Sequence, residues 1–240
     1  MTVYKKTKIF LLLSFPIMFF GQEYNATRFN HVLKQLKLNP SKVKSEFYTE
    51  KKMPNAEDSF IAVVPFLKEK IEEDYLLYQN YIVITDAKGE IKSKYLDPAE
   101  ITSDAIMLEG FTIDTGLYHL NSEVRAFGVI ANYRNGSGPN PHSSADISLY
   151  YSQGKTLKKV LSQYNVYTSG AEWDMKCNGE FSEDRSVIIL DEAKSNGFAN
   201  LKIKTETTEK IGREVNGDCT EKKTMKTSLR TLKFDKSAYK

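Results

Sequence analysis

Apolar and polar residues alternate along most of this chain, in short runs that are separated by turn residues. The clearest runs lie in residues 105–151, which read AIMLEGFTIDTGLYHL, SEVRAFGVIANYR and, after a loop, ADISLYY. Their alternation and their β-branched and aromatic content are typical of strands, so we expect them to form the centre of a sheet. Other strand signals recur about every ten residues with Gly or Asn at the turns, and no helices alternate with them. The pattern predicts an all-β fold of antiparallel sheets, arranged as a sandwich or a propeller-like array.

The remaining apolar runs predict individual strands. Residues 60–66 contain a proline, which favours a short edge strand, and the charged residues 67–74 predict a loop or one helical turn. Residues 75–85 are apolar on both faces, as in a central strand. Residues 187–190 predict a buried strand, and residues 228–235 a last strand with its apolar side chains inward.

Residues 25–38 have the periodicity of a helix instead. Their apolar positions follow the i, i+3, i+4, i+7 rule, which predicts a short amphipathic helix, and they are Phe29, Val32, Leu33 and Leu36. Asn25 or Thr27 is a suitable N-cap, and Asn39-Pro40 ends the helix. The lysine-rich residues 42–55 show little pattern and predict a linker or an edge segment.

The N-terminus has the features of a signal peptide. Lys5, Lys6 and Lys8 precede an apolar run over residues 9–20, which is too short to span a membrane but suits a secretory leader. We therefore predict a signal peptide at 1–22, a helix and linker at 23–58, and a β domain at 59–240. The mature protein would be soluble, secreted or periplasmic, and without a membrane span.

Removing the leader changes the interpretation of the charge. The whole chain has 34 basic and 31 acidic residues, and the three leader lysines account for the entire excess. The mature chain would carry 31 of each and be neutral. Its composition therefore gives no indication of nucleic-acid binding.

An exported chain folds where disulfides persist, so its only two cysteines, Cys177 and Cys219, are candidates for a bridge. Two free buried thiols are the alternative. The three histidines, His31, His119 and His142, are scattered and do not stand at ligand spacing from a cysteine. The sequence predicts no metal and no cofactor.

Several short blocks, occurring in order, carry a resemblance. They are SDAI, IDTGLYHL, RAFGV, NGSGPNP, ISLYY, GAEWDMKCNGEF and NGFANLKIK. Together they resemble a family of uncharacterised exported (periplasmic) all-β proteins of Gram-negative bacteria, over most of residues 58–240. The resemblance implies export, an all-β fold and a Cys177–Cys219 bridge, and it implies no activity. Residues 197–205 are also similar to FG-GAP-type propeller strands, but Ser195-Asn196-Gly197 replaces the acidic calcium loop of such repeats, so calcium is not predicted.

Two groups of acidic residues raise the possibility of hydrolysis. Asp114-Thr115-Gly116 is similar to the catalytic loop of aspartic proteases, which needs a second carboxylate; the alternative is an aspartate that accepts turn hydrogen bonds. The second group lies near the single tryptophan, Trp173. Two of its acidic side chains could act as the carboxylate pair of a glycosidase; the alternative is that they are solvated and ion-paired. The members of this group are Glu172, Asp174, Glu180, Glu183 and Asp184.

The Gly, Asn, Pro and Ser-rich residues 135–144 predict a surface loop. The loop lacks the lysine and the strand–loop–helix context of a phosphate cradle, and His142 beside Ser143 and Ser144 does not make a triad, which is assembled in space. Loops at sheet ends often bind ligands, so we predict a binding loop with these members: Asn135, Gly136, Ser137, Asn140, His142 and Trp173. The function we predict is non-catalytic binding of an envelope component or another protein, and the alternative is a secreted hydrolase that uses the acidic residues above.

Overall fold

The computed structural model describes residues 24–54, 56 and 58–240, so the predicted signal peptide lies outside the described residues. The fold is mostly β, with 66% of the described residues in strands and 8% helical. In chain order its elements are α1 (Ala26–Leu36), 3-10 turns at Pro40–Lys42 and Ser45–Phe47, β1 (Thr49–Lys52), β2 (Ser59–Lys70), β3 (Leu76–Asp86), β4 (Ile91–Leu96), β5 (Ile101–Ser103), β6 (Met107–His119), β7 (Arg125–Arg134), β8 (His142–Gln153), β9 (Thr156–Trp173), β10 (Gly179–Ser195), β11 (Phe198–Val215) and β12 (Asp218–Leu232).

The twelve strands form one mixed sheet that is nearly barrel-shaped. The order of paired strands around the near-barrel is β6-β7-β8-β9-β4-β3-β2-β1. The last strand, β1, lies beside the first, β6, and there Lys51 Nζ donates to the carbonyl oxygen of Ile113 at 3.1 Å. The pairings are antiparallel except for a parallel bridge between Lys94 of β4 and Thr156 of β9. The predicted all-β class is confirmed, whereas the sandwich or propeller-like arrangement is not. The reason lies in β9, which is long enough to pair with β8 along most of its length and with β10 near its end.

Three apolar clusters stabilise the fold. The interior of the near-barrel is filled from β2, β3, β6 and β7, with Tyr150 of β8 and Leu157 of β9. On the other side of β8 and β9, Ile147, Leu149 and Leu161 pack against side chains from β11 and β12. The third cluster joins α1 to the outside of β2 and β3. Because side chains alternate along a strand, β8 supplies one face to each of the first two clusters.

The stretch at residues 105–151 becomes the antiparallel strands β6, β7 and β8, as the alternation predicts. In the sheet β7 and β8 each have a neighbouring strand on both sides, whereas β6 pairs with β7 alone and is an edge strand. The predicted short edge strand at 60–66 is wrong, because β2 has twelve residues and pairs with β1 on one side and β3 on the other. Pro65 is tolerated there because β1 pairs with β2 only as far as Val63, so no β1 partner needs a proline N–H.

The N-terminal helix is confirmed, and it is held on the sheet by a buried ion pair. Asn25 caps it, its side chain accepting from the N–H of Arg28 at 3.0 Å. Arg28 is paired with Glu50 of β1, its guanidinium lies 3.6 Å from the centre of the Phe60 ring, and Tyr48 donates to the same glutamate at 2.7 Å. The segment at 42–55 thus contains an edge strand that anchors the helix.

The far parts of β9 to β12 form a single-layer extension of the sheet, residues 167–187 and 204–229, which we call the arm. Within the arm only Gly179 is buried, so both faces meet solvent. The predicted buried strand at 187–190 is half wrong: Val187 and Ile189 are 56% and 45% exposed, while Ile188 and Leu190 pack on the second cluster. The polar residues 207–224 are strand and turn, since they form the ends of β11 and β12.

The disulfide closes the tip of the arm. Cys177 lies in the turn between β9 and β10, Cys219 at the start of β12, and their Cα atoms are 5.2 Å apart. The turn passes so close to β11 that a Cβ at Gly212 would lie 2.5 Å from the Cys177 carbonyl oxygen. The bridge therefore joins the two turns at the tip, as the cysteine positions predict.

Candidate functional site

The predicted binding loop and Trp173 meet at the base of the arm. The loop joins β7 to β8 and continues the sheet beside β9, because the Ala171 and Trp173 N–H groups donate to the carbonyls of Pro141 and Pro139 at 3.1 and 3.0 Å. The indole Nε1 of Trp173 also donates to the carbonyl of Gly138 at 2.9 Å. Loop and tryptophan thus form one surface, which the sequence predicted only as a set of candidates.

Within this loop, Asn135 has a structural role. Its Oδ1 accepts from the N–H of His142 at 2.9 Å and of Ser137 at 3.3 Å, and its Nδ2 donates to the carbonyl of Asn140 at 2.9 Å. Ser137 Oγ accepts from the Asn140 N–H at 3.0 Å. These hydrogen bonds use the side chains of Asn135 and Ser137 to hold the loop, and Gly136 is exposed. The side chains of Asn140 and His142 face the arm.

Two concavities lie beside the loop, on opposite faces of the arm. The first has a volume of about 410 Å³. Its polar and aromatic lining includes side chains from β8 to β12, and they are His142, Ser143, Ser169, Phe181, Glu183, Thr208, Lys210 and Lys223. The second, about 650 Å³, is lined by Asn140, His142, Glu172, Glu180, Ser182, Glu209 and Ile211 among others. The strand register explains the division, because residues that alternate along β9, β10 and β11 point to alternate faces.

The first concavity combines an aromatic base with charged walls. Phe181 packs on Trp173 with the ring centroids 5.7 Å apart. Lys210 and Lys223 are cross-strand partners. Glu183 accepts two hydrogen bonds from Arg185, at 2.6 and 3.1 Å, and these bonds lower the pKa of its carboxyl. The site therefore presents an apolar surface, hydroxyl groups and both signs of charge, and its glutamate is held ionised.

The second concavity is more acidic, and its glutamates, Glu172, Glu180 and Glu209, are exposed. Glu172 and Glu180 are directly opposite across β9 and β10, an arrangement of like charges that is unfavourable unless counterions or basic side chains compensate. Arg213 supplies one such partner at 3.2 Å from Glu180. A glycosidase pair requires one carboxyl to stay protonated through desolvation, and both of these glutamates are exposed. The geometry does not favour that chemistry.

The other acidic candidates are engaged in local structure. Asp114 lies at a bulge within β6, where its carboxylate accepts from the Gly116 N–H at 2.8 Å and from the Tyr118 hydroxyl at 2.5 Å. Neither of these partners is a carboxylate, whereas an aspartic-protease dyad shares a proton between two carboxylates. Asp174 accepts from both the side chain and the N–H of Asn178, and these hydrogen bonds lower its pKa.

The histidines do not converge. His31 on α1 lies beside the Lys88 carbonyl at 2.9 Å and Glu90 at 3.1 Å, His119 is exposed at the end of β6, and His142 lines the concavities. Over residues 24–54, 56 and 58–240, no cluster of three or more His, Cys, Asp or Glu side chains is arranged to hold a metal ion.

A buried polar group that no sequence pattern predicts lies inside the near-barrel. Asp97 accepts from Tyr150 Oη at 2.6 Å and from Lys159 Nζ at 2.7 Å, and the side chains of Asp97 and Lys159 are only 10% and 12% exposed. The sequence signal at this point, Asp97-Pro98, predicts only a break in the strand. Burial raises the pKa of Tyr150 well above its ordinary value, so its hydroxyl stays a donor. The group stabilises the junction of β4 with β8 and β9.

No protein-family model, curated protein or solved structure matches this chain. In the described part of the chain, every helix is too short or too polar to cross a membrane.

Proposed function

We propose that this protein is an exported, non-catalytic binding protein that holds an envelope component or another protein at the base of its arm. The observation that carries the proposal is the union of the 135–144 loop with Trp173 beside the first concavity. Loops fixed on a rigid sheet are common ligand sites. The acidic side chains nearby are paired, capping or exposed, which supports binding over acid–base catalysis.

Export is supported by two independent features. The leader pattern of residues 1–22 is typical of a secretory signal, and a disulfide such as that at the arm tip persists in oxidising compartments. The resemblance to exported proteins of Gram-negative bacteria agrees with both. Mass spectrometry of the native protein should find a mature N-terminus near Gln22. A cytosolic protein that retains Met1 would contradict this part of the proposal.

The chemistry of the concavity fits a ligand with an apolar face and several hydrogen-bonding groups. The Phe181–Trp173 pair offers an aromatic surface. Around it, Lys210 and Lys223 donate, Glu183 accepts, and the hydroxyl of Thr208 can do either. A sugar ring has this combination of properties, so the glycans of the envelope are suitable probes.

The test is cosedimentation with purified peptidoglycan sacculi and, separately, with outer-membrane vesicles that contain lipopolysaccharide. We expect saturable binding to one of them, and roughly tenfold weaker binding by Phe181→Ala, because the aromatic contact is lost. The matched control is Val187→Ala, since Val187 lies on the same face of β10, is exposed, and is outside the concavity. Absence of binding to both probes, or equal binding by Phe181→Ala and wild type, would overturn the assignment of an envelope glycan to this surface.

A further inference from the structure

The arm ends in an unusually long open edge. β12 pairs with β11 without a register shift from Val215↔Asp218 to Leu201↔Leu232. Within the part of the chain that the structure describes, no strand pairs with the other side of β12. About half of the fifteen residues of β12 point their N–H and C=O groups away from β11, and these groups form a regular row of hydrogen-bonding positions. Natural edge strands are usually short, bulged or covered, and this one has none of these protections.

The side chains along this edge are ordered by charge. Lys222, Lys226 and Arg230 fall on one face, at every fourth position, which places them roughly 13 Å apart along the strand. Met225 and Leu229 lie on the opposite face and are 61% and 63% exposed. The edge thus has a basic face and a mixed face, on which Met225 and Leu229 lie in line with Glu221 and Lys223.

We propose that β12 binds an extended acidic segment of another protein by strand addition. The backbone row supplies the hydrogen bonds, and acidic side chains at alternate positions of the partner lie against Lys222, Lys226 and Arg230. The intervening apolar side chains lie against Met225 and Leu229. The arm is a single layer, so no second sheet covers either face of the added strand. The side chains on both of its faces can therefore lie against those of β12. Lys223 of β12 lines the first concavity, but the basic side chains used here, Lys222, Lys226 and Arg230, line neither concavity, so the proposal goes beyond the function proposed above.

The charge of the edge favours an acidic partner over a second copy of this chain. β12 has four basic and two acidic side chains. Two copies side by side would bring eight basic and four acidic charges to one seam, with net repulsion. Lysines on an edge are a known protection against self-pairing, and here the same residues attract carboxylates.

The test uses a fluorescein-labelled peptide in which Glu alternates with Val and Thr. Its binding to the full mature protein is followed by fluorescence anisotropy at low salt. We expect saturable binding, and no binding of the peptide with Lys in place of Glu. The combined variant Lys222→Glu, Lys226→Glu and Arg230→Glu should bind roughly tenfold or more weakly, since three ion pairs become repulsive.

A control variant has the same charge change away from the edge: Lys34→Glu, Lys158→Glu and Lys194→Glu, all exposed positions on α1, β9 and β10. It should bind as wild type does. A loss as large as that of the β12 variant would mean that net charge alone attracts the peptide, and would overturn the proposal.

Strand addition itself is tested with two further peptides, N-methylated at alternate residues along one edge or along the other. A strand has two edges and only one can face β12, so one isomer should lose binding and the other keep it. Equal binding of both isomers would overturn strand addition. A homodimer in sedimentation equilibrium that the β12 variant abolishes would instead assign the edge to a second copy and would also overturn the proposal.

Discussion

Replacing either cysteine by serine removes the covalent link at the arm tip, and the structure sets the size of the effect. Cys177 and Cys219 are 42 residues apart, and closing a loop of that length is worth at most about 4 kcal/mol in the chain-entropy model. The arm has only Gly179 buried, so without the bridge its tip frays in the folded protein. Fraying gives the native state part of the conformational entropy that the unfolded chain gains when the bridge is absent, which reduces the loss of stability. We therefore expect the free energy of unfolding of each serine variant to fall by about 2–3 kcal/mol.

The assay is urea unfolding followed by circular dichroism, for the wild type, both single variants and the double variant. The double variant should differ from either single by no more than about 0.5 kcal/mol, since the same bond is lost in each. Reduced wild type serves as the control and should match the variants.

Two results would refute this reasoning. Thiol titration of denatured, unreduced protein should find no reactive thiol, and two thiols would mean that the bridge does not form. A double variant that loses the sum of the single losses would mean that Cys177 and Cys219 stabilise the arm through separate contacts.

Three further predictions concern other polar groups. Lys159→Met should lower the free energy of unfolding by about 3 kcal/mol, because Asp97 is left as a buried charge without its cation; urea unfolding measures this, and a loss below about 1 kcal/mol would contradict a buried pair. The hydrogen bond from Lys92 is the chief cause that lowers the pKa of Asp86 to about 2 from 3.8, so the stabilisation is fully present above the ordinary pKa and is lost as the pH falls through about 2. Asp86→Asn should therefore be less stable than wild type at about pH 5, and urea unfolding should show this difference disappear below about pH 2. Asp114→Asn should cost about 1 kcal/mol through its turn hydrogen bonds, and the loss of a pepstatin-sensitive proteolysis in that variant would show a catalytic role instead.

Much of the local structure was predictable because its signals are local. The period of two identified the strands of residues 105–151, and the i, i+3, i+4 spacing identified α1. Asn196-Gly197 turns β10 into β11 with both residues at positive φ, 49° and 86°, a geometry that Asn-Gly adopts readily. That hairpin places the turn that contains Cys177 beside the end of β11, and the next turn, at Asn216-Gly217, places Cys219 on β12 within reach of it.

The candidate site was predictable only as a set of residue types. The composition of residues 135–144 indicates a surface loop, and Trp173 is conspicuous as the single tryptophan. Their contact through the Gly138 carbonyl depends on the loop continuing the sheet beside β9, which no local signal encodes. Phe181 and Lys210 were not predicted for the same reason, because the register of β9, β10 and β11 places them together.

The sequence by itself determined that the chain makes strands, where most of them turn, and which cysteines can pair. Only the tertiary structure decided which strand faces are buried: along one strand, Ile188 and Leu190 pack on a cluster while Val187 and Ile189 meet solvent. It also decided that Asp97 meets Lys159, 62 residues away. The physical reason is that alternation fixes which side chains share a face, whereas burial of that face depends on what packs across the sheet, and that is set by residues distant in the chain.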